Sequence, residues 1–222
     1  MKNYFSADWH LSHKNIIGYD NRPFRDIYEM NQKIIENYLD IVTPKDNFYF
    51  LGDFCFNNKQ VEEFLSALHG NLFFIRGNHD NPKVCRVHPN YIADFIFKDN
   101  MFFVSGAFSI DRMRRTENLD WWSEEELSSD DLYKMIDLYE KVKPNIMVTH
   151  CFPMSIQQMI FNFDPPYPNR TSQALDGCLS IHKPKIWICG HYHQSKALII
   201  DGTRFICLNE LEYKDIDLNQ YI

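Results

Sequence analysis

Residues 47–80 read NFYFLGDFCFNNKQVEEFLSALHGNLFFIRGNHD, and the architecture can be worked out from their pattern. Two apolar runs, 47–51 and 71–76, are typical of buried strands, and the segment 59–68 between them has helical spacing. A strand, a helix and a second strand in this order predict parallel strands with a right-handed crossover. Each apolar run ends in a glycine followed by polar residues. Because ligands bind beyond the carboxyl ends of parallel strands, we expect a functional site there.

The same alternation continues on both sides of this segment. Residues 3–7 predict a strand, and residues 26–42 predict a helix that Pro44 ends. Later strands are predicted over 91–97, 101–105, 145–149, 185–189, 196–200 and 203–208, and a further helix over 127–143. Residues 109–126 read as an inserted loop, and residues 151–170, with four prolines, as an ordered excursion over the site. We expect one domain over 1–222, with a substrate-pocket insertion at about 106–126. This pattern alone predicts an α/β fold with partly parallel strands.

Five short polar motifs each follow a predicted strand. They are Asp8-Trp9-His10, Gly52-Asp53, Gly77-Asn78-His79-Asp80, Thr149-His150 and Gly190-His191-Tyr192-His193. Together they supply carboxylates, one amide and imidazoles, but no thiolate. Oxygen and nitrogen donors of this kind suit Mn, Fe, Zn, Ni or Co. Two such ions can hold a phosphate and activate a water for in-line attack.

The order and spelling of these motifs resemble the calcineurin-like metallophosphoesterase superfamily, in particular its small bacterial and phage members. The family pattern is D-x-H, GD, GNH[DE], H and GHxH, and it is matched from Asp8 to His193. The resemblance implies a four-layer αββα sandwich, in which two mixed β-sheets pack face to face with helices on both outer sides. It also implies a metal-dependent phosphoesterase acting on a small phosphomonoester or phosphodiester, with nucleotides and cyclic nucleotides among the options. The implied nucleophile is a water or hydroxide held between two metal ions.

The resemblance also implies a ligand set for two divalent or trivalent transition-metal ions, with manganese favoured over Fe, Zn, Ni or Co. Asp53 bridges both ions. The remaining ligands are Asp8, His10 and His193 for the first ion and Asn78, His150 and His191 for the second. In an extended segment residues i and i+2 point the same way, so Asp8 and His10 can reach one ion. The alternative for Asp53 is a helix N-cap. Cys151 and Cys189 lie beside ligand positions, where buried reduced thiols are the favoured interpretation.

By the same resemblance, Asn78 also helps to hold the substrate phosphate, and His79 is the general acid. Asp80 is the nearest carboxylate that could support the proton of His79. The alternative is a tight turn with a surface imidazole. His13, three residues beyond His10, either lines the pocket or is exposed to solvent.

Departures from the family pattern narrow the range of expected substrates. Protein Ser/Thr phosphatases continue the second motif with Asp-Arg-Gly, whereas Phe54 and Cys55 follow Asp53 here, which counts against a phosphoprotein substrate. Within the insertion, Arg115 could clamp phosphate, and Trp121 or Trp122 could stack on a base or close the pocket. The alternative is a structural loop, with the tryptophans capping the core and Arg112, Arg114 and Arg115 paired with Glu124, Glu125 and Glu126. Arg22, Pro23 and Phe24 either line the mouth of the pocket or form a packed loop.

Composition bounds the partners. A net charge of −7 argues against an extended nucleic-acid surface. No apolar run approaches the length of a membrane span, and the first motif follows Met1 too closely for a signal peptide, so we expect a cytoplasmic protein. The oligomeric state stays open. A nuclease acting on nucleic-acid ends is one alternative, disfavoured by net acidity and by the few residues after the last motif. A non-catalytic scaffold is another, disfavoured because all ligands and His79 are retained.

Overall fold

The computed structural model describes residues 1–162 and 168–222. Its strands are β1 (Asn3–Ser6), β2 (Asn47–Phe50), β3 (Asn71–Phe74), β4 (Phe95–Lys98), β5 (Met101–Val104), β6 (Ile146–Thr149), β7 (Ile186–Cys189), β8 (Lys196–Ile200), β9 (Thr203–Cys207) and β10 (Lys214–Asp215). Its α-helices are α1 (Ile16–Tyr19), α2 (Ile27–Ile41), α3 (Val61–Ser66), α4 (Pro82–Arg86), α5 (Ser129–Val142), α6 (Met154–Phe161) and α7 (Arg170–Ile181). Every strand predicted from the sequence is present, most of them shortened by a residue or more.

The strands form two mixed sheets. The first has the order β10-β1-β2-β3 and is parallel except for β10, which pairs antiparallel with β1. The second has the order β4-β5-β6-β7-β9-β8; its four central strands are parallel and its two edge strands are antiparallel. The predicted alternation of strands and helices thus produces parallel centres; hairpins add the antiparallel edges of the second sheet, and β10 returns from the end of the chain to pair with β1 in the first.

Alternation along each strand divides the core into three layers of side chains. Phe5 and Tyr49 of the first sheet face Ile146 and Ile188 of the second in the space between the sheets. The neighbouring residues point outward: Phe48 packs with α2, and on the second sheet a separate cluster packs with α5 and α7. Since successive side chains of a strand face opposite ways, each sheet is buried on both faces. This confirms the four-layer sandwich of two mixed sheets with helices outside.

Local capping explains where the two longest helices begin. Asp26 precedes α2, and its carboxylate accepts hydrogen bonds from the backbone N–H groups of Tyr28 and Glu29. Ser128 does the same for α5 through the N–H of Asp131. These side chains satisfy donors that the first helical turn leaves free. Both helices match the sequence predictions within about two residues, as boundaries usually do.

The sequence reading missed helices α6 and α7, and it left residues 151–170 as an irregular excursion. Pro153 immediately precedes α6, where the missing N–H of proline costs nothing. Asn162 closes α6 in the left-handed conformation, and Asn169 caps α7 by accepting from the N–H of Ser172. Of the four prolines, Pro165 and Pro166 lie outside the described residues. No helix within the described ranges is both long and apolar enough to cross a membrane.

Candidate metal centre

The polar motifs meet where the carboxyl-terminal ends of the parallel strands of both sheets lie close together. Two groups of side chains are each close enough to share one ion, with ligand atoms within 4.8 Å of one another. One group is Asp8, His10 and His193, and the other is Asp53, His150 and His191. Residues from both ends of the chain are thus brought together, because β1 and β7 end at the same edge of the sandwich.

Asp53 lies between the two groups. Its Oδ2 is 3.6 Å from Nε2 of His10 and 3.4 Å from Nε2 of His150. Its Oδ1 accepts a 2.8 Å hydrogen bond from the backbone N–H of His79, which fixes the carboxylate. One oxygen therefore faces imidazoles of both groups.

The inward-facing ring nitrogens lie close to one another and to the Asn78 oxygen. His150 Nδ1 donates to the carbonyl of Leu51 over 2.6 Å, so Nε2 of the neutral ring has no proton. That Nε2 lies 3.1 Å from Oδ1 of Asn78, which is also an acceptor. In the other group, Nε2 of His10 and of His193 lie 3.1 Å apart. Acceptors held this closely require a cation or a proton between them.

The electrostatics of the buried site fit divalent cations. Oδ1 of Asp8 is buried without a hydrogen-bond partner among the described residues. Burial raises the pKa of Asp8 to about 6, whereas the imidazoles of His150 and His79 outweigh burial and hold the pKa of Asp53 well below its usual range. Burial disfavours the imidazolium of His150, but the Asp53 carboxylate outweighs it and raises the pKa to about 9. Without metal, protons on these side chains thus offset part of the buried negative charge, and a metal ion would take their place.

The loops that carry these ligands have unusual backbone geometry. Asp8, His10, Asp53, His191 and His193 all have positive φ, between 49° and 72°. For residues other than glycine this left-handed conformation costs about 1 kcal/mol or more each, and such costs cluster at functional sites. Gly77 is required for a different reason: a Cβ there would lie 2.0 Å from Oδ1 of Asp53.

Asp80 does not support His79, contrary to the sequence prediction. Its carboxylate accepts three backbone hydrogen bonds, from Asp53 over 2.7 Å, Phe54 over 2.9 Å and Gly77 over 2.8 Å. Only two residues separate Asp80 from Gly77, and the chain turns there so that the Asp80 carboxylate points back to the backbone of Gly77 and of Asp53. Asp80 thereby holds the Asp53 and Gly77 loops together.

His79 instead contacts residues of the insertion. Its Nδ1 accepts a 3.0 Å hydrogen bond from Arg115, and its backbone carbonyl accepts one of 3.1 Å from the indole of Trp122. Its Nε2 is 3.9 Å from Oδ2 of Asp53. Burial lowers the pKa of His79 to about 4; Asp53 opposes this shift and the Arg115 charge adds to it. The imidazole is therefore aimed at the centre in its neutral form.

The remaining residues of the insertion differ from the alternative interpretation, in which its arginines pair with its glutamates. Arg115 pairs with Asp111 over 2.7 Å rather than with a glutamate. The three glutamates have other partners: Glu124 pairs with Arg86, Glu125 accepts from the N–H of Ser109, and Glu126 accepts from the N–H of Thr171. Trp122 is buried with its indole N–H engaged, so it supports His79 and is closed to stacking on a substrate, whereas Trp121 is partly exposed.

His13 and the cysteines occupy different places. His13 is half-buried beside the centre, with its ring 4.3 Å from Phe56 and 6.0 Å from His10. The six cysteines are all free and buried, and none belongs to either candidate metal group among the described residues. Burial raises the pKa of Cys151 to about 12, so the thiol is poorly suited to ligation.

The sequence reading missed Asp20, which orients one of the candidate ligands. Asp20 accepts a 2.7 Å hydrogen bond from Nδ1 of His193. Arg22 is buried, and it donates to the carbonyls of Asp8 over 2.9 Å and Trp9 over 2.7 Å, which makes its segment a packed loop. No sequence signal connects Asp20 to His193, because the two are 173 positions apart.

Three known proteins are similar to this chain in sequence or in fold. The chain is 46% identical over 82 residues to the uncharacterized protein MJ1445 of Methanocaldococcus jannaschii, which covers 36% of this chain and 47% of that protein. The chain thus matches about half the length of this curated relative. The phosphopantetheinyl hydrolase PptH of Mycobacterium tuberculosis shares the fold, with a TM-score of 0.52 and 13% identity over 94% of this chain and 89% of that one. A protein of unknown function, AQ665 of Aquifex aeolicus, aligns with 24% identity and a TM-score of 0.42 over 68% of this chain and 80% of that one.

The family model for calcineurin-like phosphoesterases matches residues 1–195. This range contains all five polar motifs and both candidate metal groups. The chain belongs to the calcineurin-like phosphoesterase family.

Proposed function

We propose that the protein hydrolyses a small phosphomonoester or phosphodiester, such as a nucleotide or cyclic nucleotide, with the help of two metal ions. The observation that carries this proposal is the position of Asp53. Its Oδ2 lies within 3.6 Å of His10 and 3.4 Å of His150, one from each side of the centre. A carboxylate that faces two groups of ligands offsets the repulsion between two cations.

The donor set supports transition metals of intermediate softness. Carboxylates, imidazoles and the Asn78 amide suit Mn, which we favour, and also Fe, Zn, Ni or Co. The first ion would take Asp8, His10, Asp53 and His193, and the second would take Asp53, Asn78, His150 and His191. When bound, such ions act as Lewis acids toward a phosphoryl group and lower the pKa of water.

The surrounding residues have separate proposed roles. The amide of Asn78 would contact the phosphate, and neutral His79 would donate a hydrogen bond from Nε2 to the leaving-group oxygen. Arg115 carries a positive charge beside His79 and would offset the negative charge of the phosphate. His13, in ring contact with Phe56, and the partly exposed Trp121 would line the approach to the ions.

The charge of the chain favours a small substrate. With a net charge of −7, attraction for phosphate depends on the ions and on Arg115 rather than on a broad basic surface. We further propose that the protein works in the cytoplasm, which agrees with six free cysteines.

The first experiment is hydrolysis of p-nitrophenyl phosphate and bis-p-nitrophenyl phosphate by metal-stripped protein reloaded with Mn²⁺. Asp53→Asn is the test variant, since it keeps the side-chain shape and the acceptor for the His79 N–H. Asp176→Asn on α7, whose carboxylate contacts Ser155, is the matched control. We expect turnover that requires Mn²⁺, is unchanged in the control and falls by about 10³-fold or more in Asp53→Asn.

The ratio of the two activities would distinguish a phosphatase from a phosphodiesterase. Full activity in Asp53→Asn would contradict the proposed site. If two ions bind and neither ester is hydrolysed, a highly selective enzyme or a scaffold becomes the better interpretation.

A further inference from the structure

The Asn78 amide is held from both sides. Its Oδ1 lies 3.1 Å from Nε2 of His150, and its Nδ2 donates a 2.9 Å hydrogen bond to Oγ of Ser109. Both Asn78 and Ser109 are buried. An amide side chain can bind a cation through its oxygen but not through its nitrogen, because the nitrogen carries only donors. The hydrogen-bond partner of Nδ2 therefore decides whether the oxygen or the nitrogen of Asn78 points to the metal centre.

Ser109 is itself fixed by Glu125, which is 1% exposed. The backbone N–H of Ser109 donates to Oε1 of Glu125 over 3.1 Å. The Ser109 hydroxyl oxygen accepts the hydrogen bond from Nδ2 of Asn78, so one of its lone pairs points to the amide. Glu125 thus holds the backbone of Ser109, and the Ser109 side chain in turn holds the amide of Asn78.

The segment that carries Ser109 is anchored beside the Asn78 loop. The N–H of Gly106 donates to the carbonyl of Arg76 over 2.8 Å, and the Arg76 guanidinium donates to the carbonyl of Glu125 over 2.8 Å. Arg76 is fully buried. Both ends of the insertion are therefore tied to the residue just before Gly77-Asn78, which keeps Ser109 at a fixed distance from the amide.

We propose that Ser109, held by Glu125, is a positioning residue that turns Oδ1 of Asn78 toward the second metal position. This inference rests on the proposed two-ion function. A rotated amide would present its NH₂ group to the cation, which is repelled by donor hydrogens. The effect is confined to one ion, because Asn78 faces His150 and not His10 or His193.

The test is a Mn²⁺ titration of metal-stripped protein in which electron paramagnetic resonance measures the concentration of free Mn²⁺. The variants are Ser109→Ala and, as a matched control, Ser172→Ala, a buried serine on α7 bonded to Gln157. We expect two ions in the wild type and in the control. In Ser109→Ala we expect one site unchanged and the other weakened by about 10-fold or more, as is usual for groups that orient a ligand.

A double-mutant cycle separates positioning from general loss of structure. If Ser109 acts through Asn78, adding Ser109→Ala to Asn78→Ala should cause no further loss of Mn²⁺ affinity. Ser109→Cys, which is similar in size and keeps a weak acceptor, should fall between wild type and Ser109→Ala.

Three results would overturn the inference: unchanged affinity at both sites in Ser109→Ala, equal weakening of both sites, or a further loss in the Asn78→Ala background. A wild-type chain that binds no Mn²⁺ in the same titration would instead refute the two-ion function, and the inference with it.

Discussion

Arg115 donates a 3.0 Å hydrogen bond to Nδ1 of His79. Because an arginine side chain has no acceptor, Nδ1 is unprotonated and the ring proton of neutral His79 lies on Nε2. Nε2 is 3.9 Å from Oδ2 of Asp53, so this proton is directed to the metal centre. The contact with Arg115 thus selects the tautomer that can donate to a substrate oxygen.

Replacing Arg115 with methionine should raise the pKa of His79. That pKa is lowered to about 4, chiefly by burial, with Asp53 opposing the shift and Arg115 adding to it. A neighbouring positive charge disfavours the imidazolium, so its removal makes protonation easier. An NMR titration of the His79 ring in metal-free protein measures the shift. The exposed Arg114→Met is the control, and an unchanged pKa in Arg115→Met would show that the two groups do not interact.

His79→Ala should keep both ions and lose most of the rate. A hydrogen bond from neutral His79 acts on the leaving-group oxygen as negative charge develops there; loss of one such donor costs about 10²- to 10³-fold, and it matters least when the leaving group is already stable as an anion. The expected loss is therefore largest for alkyl phosphates and smallest for p-nitrophenyl phosphate. A series of esters with increasing leaving-group pKa measures this, with His88→Ala, outside the centre and paired with Glu62, as the control. Equal losses across the series would rule out a role at the leaving group.

Asp20→Asn should weaken the binding of one of the two metal ions. Asp20 Oδ2 lies 2.7 Å from Nδ1 of His193 and 3.2 Å from the Arg22 guanidinium. The carboxylate orients the imidazole and increases its basicity, and loss of such support costs about 10- to 100-fold in metal affinity. Asparagine keeps the shape but removes the charge. In a Mn²⁺ titration, the site with Asn78 and His150 is the internal control, and a loss shared by both sites would point to a disturbed fold.

The central architecture could be predicted because it depends on local signals. In the apolar runs that form β2 and β3, successive side chains alternate between the two faces of the sheet. Each run is followed by a glycine and a candidate metal ligand. Helices α6 and α7 could not be predicted in the same way. Prolines between 153 and 168 were read as breakers of helix, whereas Pro153 precedes α6 and Asn169 caps α7. A proline at a helix start and one inside a loop look alike in a sequence.

The candidate ligands could be proposed from motifs, but the groups around them could not. Arg115 and His79 are 36 positions apart, and Ser109 contacts Asn78 across 31 positions. These contacts depend on how the insertion folds back onto the end of β3. The prediction that Asp80 supports His79 was wrong for the same reason, since neighbours in sequence on a tight turn can point in different directions.

Stability at acidic pH should depend on Asp46, which ties the first strand to the loop before β2. Its carboxylate accepts from the N–H of Lys2 over 2.7 Å and from the N–H and hydroxyl of Thr43 over 3.0 and 2.6 Å. These hydrogen bonds lower the pKa of Asp46 to about 2, with that of the Thr43 hydroxyl the largest contribution. A carboxyl with a lower pKa in the folded state stabilises the fold above its unfolded pKa of 3.8.

This stabilisation should be lost as the pH falls from about 4 to about 2, because protonation then removes the acceptor. Asp46→Asn should therefore lower the free energy of unfolding at pH 5 and make its decline between pH 4 and pH 2 shallower than in the wild type. Urea unfolding of metal-free protein at each pH measures both effects. Asp40→Asn, an exposed carboxylate on α2, should keep the wild-type slope. A slope in Asp46→Asn equal to that of wild type would mean that the hydrogen bonds of Asp46 do not favour its ionised form.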